Sequence, residues 1–357
     1  MILVRMWLLC VAIFLCLFNS CNISRDNRKN ISKIEIDSEK KSEKSVLNVS
    51  RFIILDDDED AIFSDLSKVM CDGERIFILD GNLSTIHVFS MSGKQLGKID
   101  NIGQGPGEYV RLRDFDVKDN KIYLYDDMNR RILCYNLSDY KYEESVQTSF
   151  FARAFSLLEN GNILFVLPKD QGHKQVVVTD PNCNIMSEYI DFEEDDLDNQ
   201  TRYSLLQKTG RGLVYSKPLQ NDVYIFSSRD GHLLEEYLFL IDGKEFSDEN
   251  FDSPNLRTTP LILNDGTILG NYLKGRESFF YQKSLNSDRS WVRGVLRGEN
   301  HYSDLLLPLC VSGDSLILSY LVDEVYQKMD KTLPLESKYE EYLENGGFLI
   351  TTFRIGE

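Results

Sequence analysis

Histidine is scarce in this chain: four among 357 residues, at His87, His173, His232 and His301. None falls in an H-E-x-x-H or H-x-H spacing, which excludes the helix-borne zinc site of metallopeptidases. No G-x-S-x-G elbow occurs, so the serine nucleophile turn of α/β-hydrolases is absent. No C-x-x-C pair occurs either, which removes zinc ribbons and thioredoxin-type redox motifs. No lysine or arginine stripe offsets the net charge of −17, so a duplex nucleic acid would be repelled and is not a partner. Beyond the first twenty residues no long apolar run appears, so no later segment reads as a membrane-spanning helix.

What is present favours strands. Hydrophobic residues make up 42% and aromatics 11%, and Tyr (18) and Phe (20) far outnumber Trp (2). Such a mix suits pleated, half-buried surfaces.

The start of the chain carries an address. Arg5 precedes an apolar run at Met6–Phe18, too short to span a bilayer. It reads as the core of a signal peptide over residues 1–20. The run ends in Leu17-Phe18-Asn19-Ser20-Cys21, which resembles a bacterial lipobox with Cys21 as the lipidated first residue. Phe18 and Asn19 depart from the strict form, and signal peptidase I cleavage is the alternative. Acyl chains on Cys21 would anchor the protein to a membrane. Residues 21–50 then read as a lipidated, polar tether, with short β-runs at Lys33–Asp37 and Arg51–Leu55 placed to join the fold. Four cysteines lie beyond: Cys71, Cys134, Cys183 and Cys310. Their spacing leaves any disulfide pairing open.

From Ala61 onward the chain repeats itself. Ile76–Asp80 (I-F-I-L-D) matches Ile122–Asp126 (I-Y-L-Y-D), each preceded by a turn at Asp72-Gly73 or Asp119-Asn120. Taking Ile76, Ile122, Ile163, Leu213, Ile268 and Leu316 as equivalent gives spacings of 46, 41, 50, 55 and 48. A unit of that length, built from four antiparallel strands, is a β-propeller blade. The expected architecture is an all-β, six-bladed propeller over residues 51–357, with seven blades as the alternative. Gly347–Ile355 would be a closing strand, with Arg51–Leu55 as its partner, and Glu324–Asn345 an insertion with a short helix.

Between the first two units lies Ile99–Tyr109, I-D-N-I-G-Q-G-P-G-E-Y. It lacks the Lys of a Walker loop, and Pro106 with the β-run that follows contradicts a Rossmann turn. It reads as a crossover between blades, its glycines allowing positive φ. Its flank, Glu108, Tyr109, Arg111 and Arg113, is the candidate ligand-binding group. Asp56–Asp60 lacks the EF-hand pattern and reads as a solvated loop. Tyr203, Tyr272 and Trp291 could stack on sugars, although most tyrosines in such a fold pack between blades. The sequence marks no catalytic residue, metal ligand or cofactor.

Arg51–Leu55 with its acidic loop, Ile76–Asp80, Phe89–Gly93, Ile102–Tyr109 and Asp114-Phe115 together resemble the six-bladed, NHL-repeat-like propeller lipoproteins of Bacteroidetes. The resemblance implies an exported propeller in the cell envelope, anchored by lipid, with the outer membrane expected. It brings no reaction. The expected function is binding or scaffolding of a glycan, peptide or protein. The alternative is an envelope lyase or hydrolase with a metal in the central channel.

Overall fold

A computed structural model describes residues 31–39, 47–56, 64–169, 171–194, 196, 205–218, 220–245, 253–275, 277–288, 290–294, 309–312, 316–328 and 335–355. The signal peptide, Cys21 and most of the Asp56–Asp60 run lie outside the described residues. The chain forms six sheets arranged as the six blades of a propeller.

Blade 1 comprises Lys68–Cys71, Arg75–Asp80, Thr85–Ser90 and Gln95–Ile99 in sequential antiparallel order. Blades 2 and 3 repeat this order from Leu112 to Gln147 and from Ala154 to Tyr189. Blade 4 runs from Leu206 to Ile241, and in blade 5 two short inner pieces, Asn255–Leu256 and Leu261–Ile262, share the long strand Thr267–Lys274. Blade 6 is made from both ends of the described chain. Cys310–Ser312, Leu316–Leu321 and Leu349–Ile355 are completed by Leu47–Ile53, with Arg51 opposite Thr352. This is the ring closure expected from the sequence.

The six equivalent positions all sit near the start of the second strand of a blade. Ile76, Ile122 and Ile268 are fully buried. The tightly alternating pattern of an open sheet is missing there because each inner strand is covered on both faces. Gly212–Ser216 and Asp222–Phe226 are buried at every position, whereas the outermost strand Tyr142–Gln147 is mostly exposed.

Ring closure supplies the core. One apolar cluster joins Phe77 and Val88 of blade 1 to Phe115 and Leu124 of blade 2. Equivalent clusters lie between blades 2 and 3, 3 and 4, 4 and 5, 5 and 6, and 6 and 1. Each fully buried Leu or Phe contributes about 2 kcal/mol. An interface of several such side chains therefore outweighs any one hydrogen bond, which is worth about 1 kcal/mol net.

Two features extend the sequence reading. The β-run expected at Lys33–Asp37 joins the fold within the stretch read as tether: Ser32–Ile36 adds a fifth, parallel strand to the outer edge of blade 4, with Ile36 opposite Ile241. Ile34 and Ile36 are both buried, which is why this polar-looking stretch docks. The propeller therefore begins before residue 51. The insertion in blade 6 carries two helices, Asp323–Lys328 and Ser337–Glu344, and Leu343 packs with Tyr326 and Leu349.

Candidate functional site

Up-and-down blades place the second-to-third-strand turns and the blade-to-blade crossovers at one end of the ring. The other turns lie at the opposite end. Three places on this frame could carry function: the axis, the crossover after blade 1, and the mouth between blades 3 and 4.

The axis is lined by the innermost strands. Lys68, Cys71, Asp116, Ser156, Gln207, Lys208 and Cys310 border a cavity of about 90 Å³. That is room for a few waters, well below the volume of a drug-sized ligand site. Asp114 and Asp116 lie two residues apart on one strand, so both carboxylates project to the same side. Asp114 accepts from Lys68 Nζ at 2.7 Å and from the Phe155 N–H of blade 3 at 2.8 Å. Asp116 accepts from Lys208 Nζ at 2.6 Å, from Ser156 Oγ at 3.1 Å and from the Leu157 N–H at 2.7 Å. The inner edge of blade 3 has donors with no strand to pair with, and these two carboxylates satisfy them. Burial pushes the Asp114 carboxyl up, and Lys68 and the main-chain N–H groups of Phe155 and Phe115 pull it back. Among the described residues no three His, Cys, Asp or Glu side chains are grouped to hold a metal ion. Cys71, Cys134, Cys183 and Cys310 are free thiols.

Two further aspartates repeat a role the sequence hinted at. Asp80 and Asp126 end the matched strands and are fully buried. Asp80 accepts from the main-chain N–H groups of Ser64, Asp65 and Leu83. Asp126 accepts from those of Val110, Arg111 and Asn129. Each ties the segment entering its blade to the loop leaving its second strand.

The crossover places the four candidate residues apart. Tyr109 is fully buried between blades 1 and 2, and its hydroxyl donates to the Ile99 carbonyl at 2.9 Å. Burial raises its phenol far above the ordinary range. It is a core side chain, out of reach of a surface ligand. Glu108 is exposed, but its Oε2 accepts from the Gly105 N–H at 2.7 Å. Arg111 makes a two-pronged pair with Asp127, Nε to Oδ1 at 2.8 Å and Nη2 to Oδ2 at 2.7 Å, with its side chain still 55% exposed. Arg113 is half-buried and lies near Arg153, whose guanidinium is lowered by burial and by that like charge.

The glycines of this loop act differently from the sequence reading. Only Gly107 has a positive φ, +75°. At Gly103 a Cβ would lie 2.1 Å from the Glu108 carboxylate. Its lack of a side chain makes space for Glu108 instead of permitting an unusual backbone.

The mouth between blades 3 and 4 was not visible as a site in the sequence. Lys217 is buried and pairs with Asp196 at 3.1 Å. Asp196 also accepts from Gln175 Nε2 at 2.6 Å, and Gln175 in turn accepts from the Tyr215 hydroxyl at 2.9 Å. Asp196 belongs to the acidic stretch Asp191–Asn199, so one acid of that run turns inward. The signal was a lysine directly after the strand Gly212–Ser216, whose middle is the apolar run Leu213–Tyr215. Of the histidines, His87 is buried in blade 1, His173 faces Glu188 and His232 faces Asp230. These three do not converge. Tyr272 is fully buried as a blade filler.

With this geometry in hand, residues 21–257 match the DUF5128 family, described as a 6-bladed beta-propeller. The chain belongs to that family. No curated protein matches the sequence of this DUF5128 member. Among solved structures it is similar to a protein from Bacteroides fragilis NCTC 9343 described as exported. They share 20% identity with a TM-score of 0.71, over 91% of this chain and 100% of the other. A member of the DUF4221 family from Bacteroides vulgatus is similar at 10% identity and a TM-score of 0.55, over 86% and 97% of the two chains. At these identities the likeness concerns the fold.

Proposed function

We propose that this DUF5128 propeller is a lipid-anchored protein of the bacterial cell envelope that binds a glycan, peptide or protein at the crossover end of its ring. The carrying observation is the division of labour between axis and ends. At the axis, Lys68 and Lys208 neutralise Asp114 and Asp116, and both aspartates also fasten blade 2 to blade 3. On the loops of the crossover end, the apolar side chains of Ile102, Met128 and Phe151 are exposed. The apolar run before Cys21 and the exported description of the Bacteroides fragilis neighbour support the address.

Fractionation of cells expressing the wild type and Cys21→Ser tests the anchor. The wild type is expected in the membrane fraction and the variant in the soluble one. Unchanged membrane association of Cys21→Ser would refute it. Photo-cross-linking side chains on the two ends of the ring test the binding face. Adducts are expected from the crossover end, and adducts confined to the opposite end would overturn the assignment.

A further inference from the structure

Among the described residues, eight large apolar side chains stand out as exposed: Leu83, Leu96, Ile102, Val110, Met128, Phe151, Met186 and Leu234. Leu96, Met186 and Leu234 are scattered along the fourth strands of blades 1, 3 and 4. The other five fall on consecutive loops of one end. Leu83 is in the second-to-third turn of blade 1 and Met128 in that of blade 2. Ile102 and Val110 are in the crossover to blade 2, and Phe151 is in the crossover to blade 3.

Contacts show that these loops adjoin. The Leu112 N–H donates to Ser84 Oγ at 3.3 Å, joining the blade 1 turn to the crossover. The Arg111–Asp127 pair joins the crossover to the blade 2 turn. The Arg130 guanidinium lies 5.3 Å from the Phe151 ring centre, joining that turn to the next crossover. The result is one arc carrying Ile102 at 57%, Met128 at 55% and Phe151 at 43% exposure.

Charge sets this arc apart. Over residues 81–84, 100–111, 127–130 and 148–153 the acids Asp100, Glu108 and Asp127 are matched by Arg111, Arg130 and Arg153, in a chain of net charge −17. The arc is locally neutral and mixes Met, Phe and Arg, the residue types enriched at protein interfaces. We infer that this arc is the docking surface for a second protein, a different chain that presents an apolar patch. The inference rests on the binding function proposed above and names its partner class.

The other occupants fit less well. Phe151 is the one ring among these five on which a sugar could stack, whereas Leu83, Ile102, Val110 and Met128 offer no hydrogen bonds to sugar hydroxyls, whose burial against them is unfavourable. A second copy would bring two chains of charge −17 face to face. A membrane held through the proposed Cys21 anchor fits less well, because Ser32–Ile36 runs parallel to the last strand of blade 4, toward the crossover end, and Ser32 therefore lies at the end opposite the arc.

The test places a photo-cross-linking residue at Met128, Phe151, Lys174 or Met186 of the full chain in cells. Met128 and Phe151 are expected to give the same single polypeptide adduct. That polypeptide, identified and purified, is expected to bind the purified propeller, and Met128→Glu is expected to weaken it at least tenfold. Met186→Glu is expected to leave binding unchanged, and circular dichroism checks that both variants fold. Adducts to lipid, to glycan or to a second copy of this chain would overturn the inference. So would an adduct polypeptide that binds Met128→Glu as well as wild type. Adducts from Lys174 alone would overturn the arc while sparing the binding function. No adduct from any of the crossover-end positions would overturn both.

Discussion

The Glu108 carboxylate turns back to accept the Gly105 main-chain N–H at 2.7 Å, in space that a side chain at Gly103 would occupy. The loop between blades 1 and 2 is thus closed on itself, and Tyr135 holds its far side by donating to the Gly107 carbonyl. Gly107 also has a positive φ, and a Cβ there would lie 2.7 Å from Cβ of Tyr142. Gly107→Ala is therefore expected to cost about 2–3 kcal/mol, combining backbone strain with overpacking. Gly172→Ala, at a similar φ but with open space around it, is expected to cost about 1 kcal/mol. Urea unfolding of the two variants checks the order, and equal losses would sink the packing argument.

The axial pairs differ in how much water reaches them. The Lys68 side chain is 11% exposed and that of Lys208 37%. Lys68→Met leaves the buried Asp114 carboxylate without its cation, a loss of about 3–5 kcal/mol. Lys208→Met is expected to cost about 1–2 kcal/mol, because solvent screens the exposed ammonium and Asp116 keeps three other donors, the Val117 N–H, Ser156 Oγ and the Leu157 N–H. Denaturant midpoints measure the difference. A Lys208→Met loss as large as that of Lys68→Met would show that exposure does not set the ranking.

Two N-terminal deletions separate decoration from closure. Removing residues through 46 takes away the fifth strand of blade 4 and its two buried isoleucines, Ile34 and Ile36. A loss of about 3–5 kcal/mol is expected, with the ring intact. Removing residues through 53 takes away the last strand of blade 6, which pairs with Leu349–Ile355. That exposes a sheet edge and is expected to give aggregated or unfolded protein. Size-exclusion chromatography distinguishes the outcomes, and a monomeric, cooperative second deletion would contradict this account of closure.

Much of the fold was legible because the blade is a local unit. Asp-Gly and Asp-Asn turns and the Ile76 and Ile122 registers express nearest-neighbour pairing, which leaves a period in the sequence, and Leu349–Ile355 stood out as the apolar run that ends it. What stayed hidden depends on residues far apart in the chain. Lys208 reaching Asp116 across the axis spans 92 positions, and no spacing rule encodes it. The β-run at Lys33–Asp37 was legible, but its partner, Leu233–Ile241 of blade 4, lies too far along the chain for any spacing to show. Tyr109 looked like a loop residue because it follows the glycines Gly103, Gly105 and Gly107, yet its ring enters the core between blades 1 and 2. The glycines were read correctly as loop-forming, and Gly107 does take a positive φ, but Gly103 and Gly105 make room for the carboxylate of Glu108, which local backbone rules do not contain.

His87 gives the chain a defined acid sensitivity. It is 1% exposed, on the third strand of blade 1, opposite Ile78 on one side and Lys98 on the other. Burial, reinforced by the Lys98 charge and opposed by Asp80 and Asp100, lowers its imidazole from 6.5 to about 4. Between those values the unfolded chain binds a proton at this position that the folded chain does not. Stability therefore falls as the pH drops from about 6.5 to about 4, by up to about 3 kcal/mol from this group. Above pH 6.5 both states are neutral here, and the contribution is constant. His87→Gln removes the titration while keeping a polar side chain. Urea unfolding at pH 7.5, 5.5 and 4.5 is expected to show a shallower decline for the variant than for the wild type. Carboxylates that titrate in the same range act on both chains and cancel in the comparison, so parallel declines would show that His87 is not the group responsible.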